Sequence, residues 1–193
     1  MGREFELKFA ATPVQQDTIL KDVGDFSSLS METAYYDTPD GSLSQRRITL
    51  RRRLENGVSV CTVKTPASGG ARGEWELQWE DITTAVPKLC KLGCPEEVCV
   101  LTKQGLVEVC GARFTRLYKQ LSVEGAVVEL ALDRGTLLGG GRELPLCEVE
   151  VELKAGTEDA AAAFAQTLAQ KYGLQPEKRS KFRRALALAK EET

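Results

Sequence analysis

A chain of 193 residues, 42% hydrophobic and 28% charged, has the length and composition of one ordinary globular domain with a core of its own. Its formal net charge of -2 gives no global field for nucleic acid or an anionic membrane, so any bound anion must be held by a local cluster of cations. The absence of histidine excludes Ser-His-Asp and Cys-His catalysis and His-ligated zinc, leaving carboxylates, Lys, Arg, Tyr and any metal that carboxylates hold.

The opening Met1-Gly2-Arg3-Glu4-Phe5-Glu6-Leu7-Lys8 is charged and lacks a signal-peptide apolar core. Glu6 stands where a myristoylation motif needs Ser or Thr, and no apolar run approaches the about 20 residues that span a bilayer. A cytoplasmic location is therefore expected. The first strand is predicted over 4–9, and a helix over 13–23 with Thr12 as N-cap and Pro13 in the first helical position. A weaker strand at 33–37 precedes strands over 48–54 and 58–65, whose Asn56-Gly57 accepts the positive φ of a tight hairpin turn. A strand over 73–80 follows, then a short helical pair over 86–92 and 95–106 separated by Gly93. Strands over 114–123, 127–133 and 146–154 come next, with turns at Gly125 and Gly139-Gly140-Gly141. The triple glycine lacks the Lys-Ser/Thr of a phosphate-binding loop. An Ala-rich helix over 158–172 stops at Gly173, and the tail over 180–191 is helix-compatible. Nothing divides the chain, so one α+β domain over 1–193 is expected. The six cysteines are expected to be reduced and mostly buried; Cys90, Cys94 and Cys99 lack the spacing of a zinc site.

The charges fall on one face of each strand, because side chains two apart project the same way. Glu4, Glu6 and Lys8 share a face, as do Arg47, Thr49, Arg51 and Arg53, then Thr62 and Lys64, then Arg72, Glu74, Glu76 and Gln78. Glu129 and Asp133 follow, and Glu148, Glu150 and Glu152 stand opposite Cys147, Val149, Val151 and Leu153. Polar faces of a sandwich would mix neutral and charged residues, whereas these are nearly pure ionic faces, acidic on some strands and arginine-rich on another. Three adjacent carboxylates on one exposed strand repel one another unless a cation sits among them. A barrel with the charged faces inside and helices covering the apolar outside resolves this. Its carboxylates form a hard-oxygen site for Mg²⁺ or Mn²⁺, and its Arg and Lys supply the donors that phosphate needs.

Glu4-x-Glu6-x-Lys8 resembles the signature of the CYTH superfamily, the triphosphate tunnel metalloenzymes. The resemblance continues through Tyr35-Tyr36-Asp37-Thr38, Leu50-Arg51-Arg52-Arg53, Lys64, Arg72-x-Glu74-x-Glu76, the segment from Glu129 to Gly135, Cys147-Glu148-Val149-Glu150-Val151-Glu152, Ser180-Lys181 and Arg184. It implies an eight-stranded antiparallel closed β-barrel with peripheral helices. By the same resemblance Glu4, Glu6, Glu148 and Glu150 are the implied metal ligands, with Asp133 and Glu152 completing or supporting them. Lys8, Arg51, Arg53 and Lys64 are the implied catalytic cations, with Glu74, Glu76, Arg116, Lys181 and Arg184 about the substrate. Alternation separates Arg113 and Lys119 from Arg116, and which parity faces inward stays open; Arg184 fits the family spacing better than Arg183. The resemblance implies metal-dependent hydrolysis of a small-molecule triphosphate, with inorganic tripolyphosphate favoured. A class IV-type adenylyl cyclase, a thiamine triphosphatase and a non-catalytic polyphosphate- or nucleotide-binding module remain as alternatives. No nucleic-acid or membrane partner is expected, and a homodimer is left open.

Overall fold

The computed structural model describes residues 5–66 and 72–190, apart from the side chain of Arg72; the expected metal ligand Glu4 lies outside these residues. Five-residue β1 (Glu6–Ala10) leads into α1 (Pro13–Val23), where Thr12 and Gln15 cap each other in a reciprocal box. Then come β2 (Ser27–Asp37), the short α2 (Ser42–Gln45), β3 (Thr49–Glu55), β4 (Val58–Pro66) and β5 (Arg72–Gln78). Asn56 and Gly57 both take positive φ between β3 and β4, which makes the predicted hairpin. Helices α3 (Ile82–Lys91) and α4 (Glu96–Leu101) fold against each other, followed by β6 (Val107–Val123), β7 (Ala126–Gly139) and β8 (Arg142–Gly156). The chain closes on α5 (Glu158–Tyr172), the two-residue β9 (Gln175–Pro176) and α6 (Lys181–Lys190). No helix among the described residues is long and apolar enough to cross a membrane.

The α+β class holds, but the closed eight-stranded barrel does not. The strands form one nine-stranded antiparallel sheet, ordered β5-β4-β3-β2-β6-β7-β8-β1-β9, and among the described residues no ladder joins the two edges. β1 uses one side on β8 and the other on β9, whose Pro176 has no N–H to offer a further strand. The sheet nevertheless curls until β5 and β1 line one cavity: Glu74 and Glu76 from one edge and Glu6 and Lys8 from the other. It is an open trough with its ionic faces inside.

The apolar faces point outward and are covered. α1 and α5 pack Ile19, Ala161, Ala165 and Leu168 against Val128, Leu130, Leu132, Val149 and Val151. α3 and α4 pack Val86, Leu89 and Val98 against Leu50, Cys61 and Val63 of β3 and β4. α6 is different: it lies inside the trough at one end, where Phe182 and Ala185 meet Ala112, Phe114, Leu137 and Leu146. That close approach depends on Gly139, since a Cβ there would stand 2.3 Å from the Ala185 carbonyl oxygen.

Cys90 and Cys99 form a disulfide between α3 and α4, against the expectation of six reduced thiols. Gly93, at φ 95°, turns α4 back on α3 and brings the two cysteines together across nine positions of sequence. Cys61, Cys94 and Cys110 are free and buried, and burial pushes the Cys110 thiol up to about 12.

Candidate active site

The inner faces of β6, β7 and β8 place three carboxylates and an arginine side by side. Arg116 pairs with Asp133 across β6 and β7, Asp133 pairs with Glu148 across β7 and β8, and Glu150 follows Glu148 by one inward step. The Arg116 guanidinium donates through Nε and Nη2 to both oxygens of Asp133, each at 2.8 Å, and its Nη2 also meets Glu150. α6 then brings Lys181 over the group. Its Nζ lies 2.7 Å from Asp133, 2.5 Å from Glu148 and 2.6 Å from Glu150, while Arg184, one turn on, pairs with Glu148. Asp133 and Glu148 have no exposed surface, so three cations facing three carboxylates are needed to offset their desolvation. Burial disfavours the charged forms of Glu150, Lys181 and Arg116, yet the opposing charges prevail. They hold Glu150 well below the usual carboxylate range and push Lys181 and Arg116 above theirs.

One oxygen from each of Asp133, Glu148 and Glu150 lies within 4.8 Å of the others, a spacing and donor chemistry that suit a hard divalent cation. Two observations support that fit. The Lys181 ammonium already stands among the three as a cation, and Glu148 Oε2, though at ion-pair distance from it, is buried without a hydrogen-bond partner among the described residues.

The opposite wall is cationic. Arg51 and Arg53 on β3 and Lys64 on β4 line a cavity of about 800 Å³ shared with Lys8, Arg116, Glu150 and Lys181. Lys64 and Arg51 lie 3.3 Å and 3.9 Å from Glu74, and Glu76 accepts a hydrogen bond from Thr62 at 3.2 Å. The Nε atoms of Arg51, Arg53 and Arg184 are buried without an acceptor among the described residues. A buried guanidinium N–H left unpaired is costly, and an anion entering the cavity is the natural acceptor. Burial and then the charge of Arg51 lower the pKa of Arg53.

The remaining expected residues fall on the same face but in a second group. Glu6, Glu152 and Glu129 are register partners across β1, β8 and β7, held by Lys8 at 3.5 Å from Glu6 and by Lys154 at 2.9 Å from Glu152. Glu6 and Glu152 are thus not drawn into the Asp133, Glu148 and Glu150 group. Of the parities left open on β6, Arg116 faces inward. Arg113 sits outside near Glu143, and Lys119 caps the carbonyls of Val23 and Gly24 at the end of α1. Arg184 points into the cluster, as its spacing suggests. Lys154 was legible as the next inward position after Glu152; Glu177, 4.0 Å from Arg184 in a segment without periodicity, gave no signal.

The CYTH domain family matches residues 2–186 of this chain. An inorganic triphosphatase of Haemophilus influenzae is 27% identical over 179 residues, covering 87% of this chain, which spans only about half (50%) of that protein. A thiamine-triphosphatase of Macaca fascicularis is 30% identical over 171 residues, covering 80% of this chain and 73% of the relative. Among solved structures, a Hippeastrum protein superposes with a TM-score of 0.67 at 19% identity, covering 99% of this chain and 98% of its own. A Pyrococcus horikoshii protein superposes at 0.62 with 24% identity, covering 97% and 99%. At these identities the superpositions speak for the fold alone.

Proposed function

Because the chain belongs to the CYTH domain family, we propose that it is a divalent-metal-dependent triphosphatase acting on small-molecule triphosphates, with inorganic tripolyphosphate preferred. The observation that carries this is the pairing of two unlike walls in one cavity: unpaired arginine donors on β3 facing a buried carboxylate cluster on β7 and β8. An anion-binding module has no use for three buried carboxylates beside its ligand, whereas phosphoryl transfer needs both signs of charge.

Arg51, Arg53 and Lys64 would bind phosphate oxygens and orient the chain of phosphates along the trough. Arg116 and Lys181 would neutralise charge that builds on the transferring group while bridging Asp133, Glu148 and Glu150 and offsetting their mutual repulsion. These three carboxylates would hold Mg²⁺ or Mn²⁺, and Glu6 and Glu152, in the neighbouring group on the same face, would support the site as the family resemblance implies, as it does for Glu4. Bound there, the ion would polarise phosphate oxygens and acidify water. Glu74 would keep Lys64 and Arg51 aimed into the cavity.

Inorganic tripolyphosphate is favoured because charged side chains dominate the lining, with half-buried Phe5 and Leu7 packed toward the outer core cluster. One observation supports a second substrate. Tyr35, Phe114 and Phe182 also line the cavity, and the Macaca fascicularis relative is a thiamine-triphosphatase. Those rings are almost wholly buried and form the floor rather than a stacking surface, so they favour the second substrate only weakly. The test is kcat/KM for tripolyphosphate, thiamine triphosphate and ATP with Mg²⁺, with Mn²⁺ and with chelator, scoring phosphate and cyclic AMP separately. Tripolyphosphate should lead under either metal and chelation should abolish turnover. Metal-independent hydrolysis would overturn the mechanism, and a tenfold lead for thiamine triphosphate would overturn the substrate.

A further inference from the structure

Behind the acid cluster, on the outer face of the sheet, one buried side chain touches the main chain of two of its members. Gln16 lies on the covered face of α1 beside Ile19 and is 1% exposed, an amide where the apolar stripe of the helix would accept a leucine. Its Nε2 donates to the carbonyl oxygen of Asp133 at 3.0 Å and to that of Glu148 at 2.7 Å. These residues face each other across β7 and β8, so a single NH₂ group bridges the pair. Its Oε1 accepts from Arg134 Nε at 2.9 Å, and Arg134 is itself held by the Pro13 carbonyl at 3.0 Å and by Asp17 at 2.7 Å. Arg134 can only donate, which fixes the amide with its oxygen toward the guanidinium and both hydrogens toward the sheet.

The next residue on β7 after Asp133 is Arg134, and alternation sends their side chains to opposite faces. Asp133 therefore enters the cluster while its neighbour holds the amide that grips the Asp133 peptide from behind. Glu148 is gripped by the same nitrogen. The separation of the two carboxylates is set by their main chains, and those are tied to one donor group.

We propose that Gln16 is a positioning residue that fixes the spacing of the Asp133 and Glu148 carboxylates through their carbonyls and thereby sets the cation affinity of the cluster. The inference rests on the metal-binding role given to that cluster above. Two variants probe it. Gln16→Leu keeps volume and helix packing but removes both donors; Gln16→Glu keeps length and the Arg134 contact but turns an oxygen toward the two carbonyls.

Mn²⁺ affinity, read as free ion by electron paramagnetic resonance, is measured beside kcat, KM and the melting temperature of the metal-free protein. Mn²⁺ binding should weaken about tenfold in both variants, the range typical when a group supporting metal ligands is lost. kcat should fall with it, while KM for tripolyphosphate, set by Arg51, Arg53 and Lys64 on the other wall, should stay within about twofold. A folded variant that loses melting temperature but binds Mn²⁺ as the parent does would overturn the proposal, because a purely structural amide predicts that result. Should neither Gln16 variant fold, Arg134→Met frees the amide to rotate while leaving it in place. It should weaken Mn²⁺ in the same direction, and parental affinity there would equally refute the idea. A parent protein that binds no Mn²⁺ would sink the metal site itself, and this inference with it.

Discussion

Arg51 and Arg52 are adjacent in sequence and opposite in fate. Arg51 lines the cavity with an unpaired Nε, while Arg52 Nε donates to Ser59 at 3.1 Å on the outer face. Arg51→Ala should weaken tripolyphosphate binding about tenfold or more by calorimetry, the worth of a charge-assisted hydrogen bond, and Arg52→Ala should leave it within about twofold. Glu150 gives a pH prediction with a definite sign. Its folded pKa lies below the ordinary 4.5, so its stabilisation is present above 4.5 and is lost as pH falls toward the folded value. The raised pKa of Lys181 works the other way: its stabilisation is complete below 10.5 and is lost only as pH rises through the folded value. Between these limits the two groups add no slope. The melting temperature of the metal-free protein should therefore fall on acidification below about pH 4.5, and Glu150→Gln should flatten that fall.

At the scale of elements, α6 is held in the trough by a glycine and α4 is held to α3 by a disulfide. Gly139→Ala would drive a methyl group into the Ala185 carbonyl, so α6 must move. A loss of about 1–3 kcal/mol is expected by denaturant titration. Turnover should fall with it, because Lys181 and Arg184 ride on that helix. Reducing Cys90–Cys99 should cost about 2–3 kcal/mol by loop-entropy reasoning, leaving tripolyphosphate affinity unchanged, since α3 and α4 cover the outer face.

Strong local codes were legible in the sequence: α1 and α5 begin and end where Thr12, Pro13 and Gly173 say, and the hairpin turns at Asn56-Gly57. The inward parity of Arg51, Lys64, Glu74, Asp133, Glu148 and Glu150 was legible too, because alternation is local. What tertiary pairing decides was not. β2 runs from Ser27, six residues before the predicted start, because β6 supplies ladder partners to a polar Ser27-Ser28-Leu29-Ser30 run that by itself reads as loop, and β3 joins the other side only from Met31. α3 begins at Ile82 rather than 86, since Asp81 caps the Thr84 amide at 2.8 Å and Pro87 is carried inside the helix. The open edge of the sheet and the burial of α6 within it depend on contacts between distant segments, which no window of residues contains.

The whole molecule turns its ionic faces inward, so its core is split: two clusters lie on the outer face under covering helices, and a third lies inside the trough at one end, under α6. The sheet that makes the trough is completed by β1 lying against β8, with Lys8 opposite Glu150. On a ribosome adding roughly 5–20 residues per second, β1 is made well before β8 and then waits on the order of ten seconds for that partner. Asp133 is made with β7, and Glu148 and Glu150 with β8 itself, all ahead of the Lys181 that neutralises them. For that interval the nascent chain carries three carboxylates on neighbouring strands without the Lys181 ammonium that meets all three. Their burial has to await the helix, or borrow a cation from the surrounding solution.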